Sequence, residues 1–180
     1  MKIKKFKVSY RIKEIYRYLK ENNINITDEI DTLISIVDKE IAEIILPSAV
    51  FETYNIKNEK IHDIINNLSI PKNTQEITFI IVTLGKKITE FLSSITDEIK
   101  KLITFALLQE YLNSSVIFIC KILQEQNKDL EMGTVFLVPE NLYERVCQLL
   151  ISEKIEVYYS HQKLLPEYTS LNYVLWFRKK

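Results

Sequence analysis

Glycine is nearly absent from this chain: among 180 residues there are two, Gly85 and Gly133. That excludes the Gly-rich phosphate loops of dinucleotide-binding and Walker proteins, which need closely spaced glycines so that backbone can approach a phosphate. Cysteine is as scarce, with only Cys120 and Cys147. Both sit in apolar helical patterns, where a cysteine acts as a small buried hydrophobe, and such sparse usage fits a reducing compartment. Neither sign of charge dominates. The 24 Lys+Arg and 24 Asp+Glu cancel to zero, with a pI near 6.8, whereas nucleic-acid-binding domains lie above about 9. Long apolar runs are missing as well. The strongest, 77–84 and 116–123, fall far short of the roughly 20 residues that span a bilayer. The basic start, Met1-Lys2-Ile3-Lys4-Lys5-Phe6-Lys7, lacks the apolar stretch of a secretory signal. These absences predict a cytoplasmic protein that binds neither nucleic acid nor membrane.

What is present is a series of periodic segments. Ile12, Ile15, Tyr16 and Leu19 recur at helical spacing and predict a helix over 11–21. Thr27 is a suitable N-cap, with Asp28 and Glu29 at the positive end of the dipole. It opens a helix whose stripe runs from Ile30 to Ile45 and which Pro47 closes. Residues 49–56 read as a strand, with Phe51 and Thr53 on one face and Val50, Glu52 and Tyr54 on the other. A short helix is expected at 61–68. The run Ile-Thr-Phe-Ile-Ile-Val-Thr at 77–83 is almost continuously apolar, which predicts a central strand covered on both faces. Gly85 then turns the chain into a helical region, 86–126, broken near Ser93-Ser94 and restarted by Thr96 or Asp97. After a polar turn at 126–129 come a strand (134–138), a helix (142–151), a strand (155–160) and a final strand (171–177) rich in β-formers. With no repeat and no low-complexity linker, the pattern predicts one α+β domain over 1–180, a small twisted mixed or antiparallel sheet packed with helices.

Two anchors carry a resemblance. The first is Glu14-Ile15-Tyr16-Arg17-Tyr18-Leu19, followed by the helix 28–46 and Pro47-Ser48-Ala49-Val50. The second is Phe79-Ile80-Ile81-Val82-Thr83-Leu84-Gly85-Lys86-Lys87-Ile88, an apolar strand, a Thr-Leu-Gly turn and a helix. In this order and spacing they resemble the activation (reactivation) domain of cobalamin-dependent methionine synthase, and more specifically its stand-alone bacterial relatives, from about Ser9 to Phe177. The resemblance implies that family's fold and a shallow groove for S-adenosylmethionine. It also implies a partner, methionine synthase or another corrinoid protein, whose oxidised cobalamin is reduced and remethylated; cobalamin would be met only through that partner. The implied groove is bordered by Thr83 and Gly85 on one side and by Pro139, Glu140, Asn141 and Tyr143 on the other.

The chain departs from the family at the ligand loop. The relatives read approximately Arg-x-Ser-Pro-Gly-Tyr-Gly-Asp after the long helix; here the corresponding stretch, 134–143, keeps only Pro139 and lacks the arginine and both glycines. A methionine carboxylate is best held by a planar guanidinium, and Glu140 repels it. Two expectations follow. One is an accessory protein that docks on a cobalamin-carrying protein and binds S-adenosylmethionine weakly. The other is a diverged interaction or structural module that has lost the small-molecule site. No cluster of acid, base and nucleophile predicts self-contained catalysis.

The remaining features have plain readings. Gly85-Lys86-Lys87 is expected to make a strand-to-helix turn with solvated lysines, the alternative being an anion site at the helix start. Lys2, Lys4, Lys5 and Lys7, with Lys179 and Lys180, are expected in solvated tails. Tyr158, Tyr159, Tyr168, Tyr173, Trp176 and Phe177 are expected to pack across a sheet, the alternative being an aromatic surface that receives a flat ligand or partner. His62 and His161 lack partners at metal-ligand spacing. Ser160-His161 is not expected to pair, because neighbouring strand side chains point to opposite faces.

Overall fold

The computed structural model describes residues 1–179; Lys180, counted above in the basic C-terminus, lies outside the described residues. Strand β1 (Lys2–Lys4) leads to helices α1 (Ile12–Glu21) and α2 (Asp28–Ile44), then to β2 (Ser48–Asn55). A short helix α3 (His62–Ile65) precedes β3 (Thr74–Thr83), α4 (Lys87–Ser94) and the 29-residue α5 (Glu98–Gln126). The chain closes with β4 (Leu130–Leu137), α6 (Tyr143–Leu150), a small hairpin of β5 (Tyr158–Ser160) and β6 (Lys163–Leu165), and β7 (Thr169–Arg178).

The helix starts follow from their caps. Thr27 Oγ1 accepts from the Ile30 amide at 3.4 Å, and Asp97 Oδ1 accepts from the Lys100 amide at 2.6 Å, so Asp97 rather than Thr96 opens α5. Helix α3 is shorter than the 61–68 expected. The Asn67 side chain turns back to donate to the Asp63 carbonyl at 2.8 Å, a local bond that competes with further helix.

Five strands form one antiparallel sheet in the order β1-β2-β3-β7-β4. The apolar run at 77–83 is the heart of β3, central as its composition implied. Because side chains alternate along a strand, the sheet feeds two cores. Ala49, Phe51, Ile80, Val82, Val174 and Trp176 meet α1, α2 and α5 on one face. Val50, Tyr54, Ile77, Phe79, Ile81 and Leu175 meet α3 and α6 on the other. Trp176 is fully buried and its indole N–H donates to Thr78 Oγ1 at 2.7 Å, which in turn lies 2.7 Å from Thr53 Oγ1. A buried indole thus has the partner it requires.

Four expectations need correction. Residues 1–4 are no tail: Lys2–Lys4 form an edge strand, with Lys2 opposite Val50 and Lys4 opposite Ser48, and the N-terminal ammonium of Met1 donates to the Phe51 carbonyl at 2.6 Å. Strand β4 starts at Leu130, four residues before 134, because Leu130 and Met132 pack on the helix-side core. Residues 155–160 are not one strand. A 3-10 turn occupies Ser152–Ile155, and only Tyr158–Ser160 pairs, with the unforeseen β6. Finally, α5 is long and apolar enough by length and composition to cross a membrane, with mean hydropathy 1.5 over its most apolar window; 67% of that window is buried inside the fold. Its apolar residues are spread around the helix because the sheet covers one side and α1 and α2 the other.

Candidate functional site

The end of the sheet where β3 stops is built from backbone pairing. Thr83 lies opposite Ser48 on β2 and Thr169 on β7. Its buried hydroxyl accepts from the Gly85 amide at 3.2 Å and donates to the Tyr168 carbonyl at 3.4 Å. The Leu84 amide donates to the Tyr168 carbonyl at 3.0 Å, and the Leu46 amide to the Leu84 carbonyl at 2.8 Å, which ties the turn to both neighbours. Gly85 has φ +96°, a conformation that L side chains rarely adopt, so the backbone angle itself calls for glycine. The expected turn is therefore present, and Lys86 and Lys87 follow it on the surface.

Beside this turn lies a cleft of about 130 Å³. Lys4 and Lys5, delivered by β1, line it together with Lys86 and Lys87, over an apolar wall that includes Ile44 and Leu46. Glu156 Oε2 stands 3.6 Å from Lys86 Nζ. A second hollow of about 350 Å³ shares Lys86, Glu156 and Pro166 with the cleft and extends to Tyr158 and Leu165.

Pro139, Glu140, Asn141 and Tyr143 do not line that cleft. They lie at the same end of the sheet but beyond β7, where the Val138 amide donates to the Leu171 carbonyl at 3.0 Å. The structure thus groups Thr83 with Gly85, and Pro139 with its neighbours, with β7 between the two groups. The Leu142 amide donates to the Pro139 carbonyl at 2.9 Å, closing a 3-10 turn over Glu140–Leu142. Leu142 is buried in the α6-side core, while Glu140 and Asn141 are exposed. Tyr143 packs edge-on against Tyr159, ring centroids 6.4 Å apart, and burial, with Glu140 nearby, pushes its hydroxyl pKa up.

No family model and no curated protein matches this chain by sequence. By structure it is similar to "Crystal Structure of the MetH Reactivation Domain bound to AdoHcy", with a TM-score of 0.63 and 8% identity, covering 100% of this chain and 79% of that one. The chain has the reactivation-domain fold. At that identity the likeness fixes architecture and transfers no residue, so the fit of a ligand is judged on this chain's own groups.

The residues at 139–143 do not fit a methionine carboxylate. Arg11 is committed to Glu110 (2.6 Å) and Arg17 to Glu14 (2.7 Å). Arg145 points its Nη1 at the Asp63 carbonyl, 3.5 Å away, and Arg178 lies opposite Leu130 at the far end of the sheet. No arginine among the described residues is hydrogen-bonded to the Pro139 turn, and its one charged side chain, Glu140, has the wrong sign. Among the described residues, no three His, Cys, Asp or Glu side chains converge on a metal position.

Two sequence arguments are revised by the geometry. Ser160 Oγ and His161 Nδ1 are 2.8 Å apart, because His161 has left the strand for a turn at φ 50° and strand alternation no longer applies. This is a local contact on an exposed hairpin. Of the terminal aromatics, Trp176 and Tyr173 pack as expected, and Phe136 stacks on Tyr173 at 5.3 Å; Tyr158 is 49% exposed and borders the hollow. Sequence reasoning missed Lys4, Lys5, Glu156 and Pro166 as neighbours of Gly85. For Lys4 the only signal was the Lys-Ile-Lys alternation of residues 2–4, which reads equally well as a basic tail; Lys5, Glu156 and Pro166 gave none.

Proposed function

We propose that this protein is a cytoplasmic accessory to cobalamin-dependent methyl transfer, docking on a cobalamin-carrying partner such as methionine synthase or another corrinoid protein, with no catalytic centre of its own. The observation that supports this reading is the reactivation-domain fold extending over the whole chain. On this reading S-adenosylmethionine binds weakly at the sheet end bordered by Thr83, Gly85, Pro139, Glu140, Asn141 and Tyr143. Weakness follows from the missing guanidinium. A hydrogen bond to a charged group is worth about 1.5–3 kcal/mol, which is roughly ten- to hundredfold or more in affinity.

The test is calorimetric titration of the purified protein with S-adenosylmethionine and, separately, with a cobalamin-loaded corrinoid protein. The expected result is a clear heat with the corrinoid protein and a dissociation constant for S-adenosylmethionine near or above about 1 mM. Heat with neither removes the cofactor reading. What then stands is the second reading, a diverged interaction or structural module. It is favoured by one observation: residues 139–142 form a closed turn anchored by buried Leu142, where a glycine loop would leave backbone open to a ligand.

A further inference from the structure

We infer that the lysine-lined cleft beside Gly85, which shares Thr83 and Gly85 with the proposed S-adenosylmethionine groove, is an anion-binding site, and that its ligand is a small phosphate ester carrying a planar ring, of the nucleoside-phosphate class. The chain has zero net charge, yet four lysines, Lys4, Lys5, Lys86 and Lys87, line one cleft against a single carboxylate, Glu156. Glu156 pairs with Lys86 alone. Among the described residues, Lys4, Lys5 and Lys87 take part in no salt bridge. Three lysines without a carboxylate partner border the apolar wall of Ile44, Leu46 and Ile155, and an anion seated there gains their attraction.

The convergence is built by the fold. Lys4 is placed by pairing with Ser48, and Lys5 has φ 56°, turning the chain across the cleft. Lys86 and Lys87 are placed from the other side by the turn at Gly85. The first turn of α4 adds backbone N–H groups whose N-cap, Lys86, makes no side-chain cap.

The donor set selects phosphate over carboxylate. Ammonium groups act as point charges that suit a phosphate's three oxygens and its charge of about −1.5 to −2. A lone carboxylate is better served by a bidentate guanidinium, and the cleft has none. Size selects the rest. A cleft of about 130 Å³ takes the anionic group but is smaller than the ~300 Å³ at which pockets for whole ligands begin. The body of the ligand continues into the adjoining hollow of about 350 Å³, where Tyr158, Leu165 and Pro166 offer apolar surface beside Glu156 and Glu167, whose carboxylates favour an uncharged ring over a second anionic group.

The test is an amide-resolved NMR titration of the full chain at low ionic strength with pyrophosphate, ADP and adenosine. Pyrophosphate is expected to shift Gly85, Lys86, Lys87 and Ile88, and ADP to shift these together with Tyr158 and Leu165. Adenosine is expected to bind about tenfold more weakly than ADP or worse. The double substitution Lys86→Gln/Lys87→Gln, at exposed positions that leave the fold intact, should weaken ADP by about tenfold or more. Tyr158→Ala should weaken ADP and leave pyrophosphate unchanged. The inference is overturned if neither phosphate compound shifts these amides or if the lysine variant binds ADP as well as the parent. It also fails if an RNA oligonucleotide binds the cleft while ADP does not. The two sites share Thr83 and Gly85, but S-adenosylmethionine carries no phosphate and the accessory role is read with a corrinoid protein, so loss of phosphate binding in the lysine variant and loss of corrinoid binding are separate outcomes.

Discussion

Ile151 occupies a position that glycine usually holds. It ends α6 in the left-handed region, φ 52° and ψ 62°, and its side chain is 51% exposed. A β-branched residue there is strained by roughly 1–2 kcal/mol and gains little burial in return. Ile151→Gly is expected to stabilise the protein by about 1 kcal/mol, raising the thermal midpoint by about 2–4 °C. Thermal unfolding followed by circular dichroism checks it, and an unchanged or lower midpoint would refute the strain. Cys120 gives a pH prediction. Burial in the helix-side core pushes its thiol from 9.0 up to about 11. The folded state therefore holds that proton more tightly, and the stability this contributes is complete below pH 9 and lost as pH rises toward 11. Tyr168, raised to about 12 mainly by burial, acts in the same direction at higher pH. The urea midpoint should fall from pH 9 to 11, and Cys120→Ala should flatten part of that fall. A midpoint independent of pH in that window would contradict the assignment.

At the scale of elements, the segment between β1 and α1 is strapped to α5. Phe6 stacks on Phe118 at 5.0 Å, Tyr10 meets Tyr111 edge-on at 5.7 Å, and the Tyr111 hydroxyl donates to Asp38 Oδ1 on α2 at 2.5 Å. Arg11 holds Glu110 through both oxygens, 2.6 and 3.1 Å, and Glu110 is only 3% exposed. Arg11 is itself 53% exposed, and without its guanidinium Glu110 keeps the Arg11 backbone amide (3.3 Å) and Ser114 Oγ (3.2 Å) as donors. Arg11→Ala should cost about 2 kcal/mol, the worth of a hydrogen bond to a charged group, whereas Arg11→Met/Glu110→Met should recover most of it, because the Glu110 carboxylate no longer has to be desolvated. Urea unfolding of the single and double variants measures the difference; equal losses would show that Glu110 is solvated in practice. Element recognition from sequence followed local physics. Thr27 and Asp97 announce helices because a capping side chain acts within three residues, and Gly85 announces its turn. Strand β1 and the β5–β6 hairpin were not legible. Three-residue strands gain their hydrogen bonds from distant or unforeseen partners, and the hairpin turns through His161 and Gln162, both at positive φ without a glycine to mark them.

At the scale of the molecule, β3, the central strand, contributes side chains to both cores, as its neighbours β2 and β7 do. Ile80 faces α1, α2 and α5, while Phe79 faces α3 and α6. Ile80→Ala and Phe79→Ala should each cost about 3–5 kcal/mol, and each should shift one common transition. Fluorescence of Trp176, the sole tryptophan, should coincide with far-ultraviolet circular dichroism in both variants. Separate transitions would mean that the two layers melt independently. The sequence by itself determined the elements whose signals are local or periodic: the capped helices, the doubly covered strand, the α+β class. Its resemblance pointed to the fold that the structure then displayed. Only tertiary structure decided that β7 stands between Gly85 and Pro139, and that Lys4 and Lys5 join Lys86 and Lys87 around one cleft. Strand order and edge pairing depend on contacts between residues far apart in the chain, and no local propensity encodes which distant segment supplies the partner.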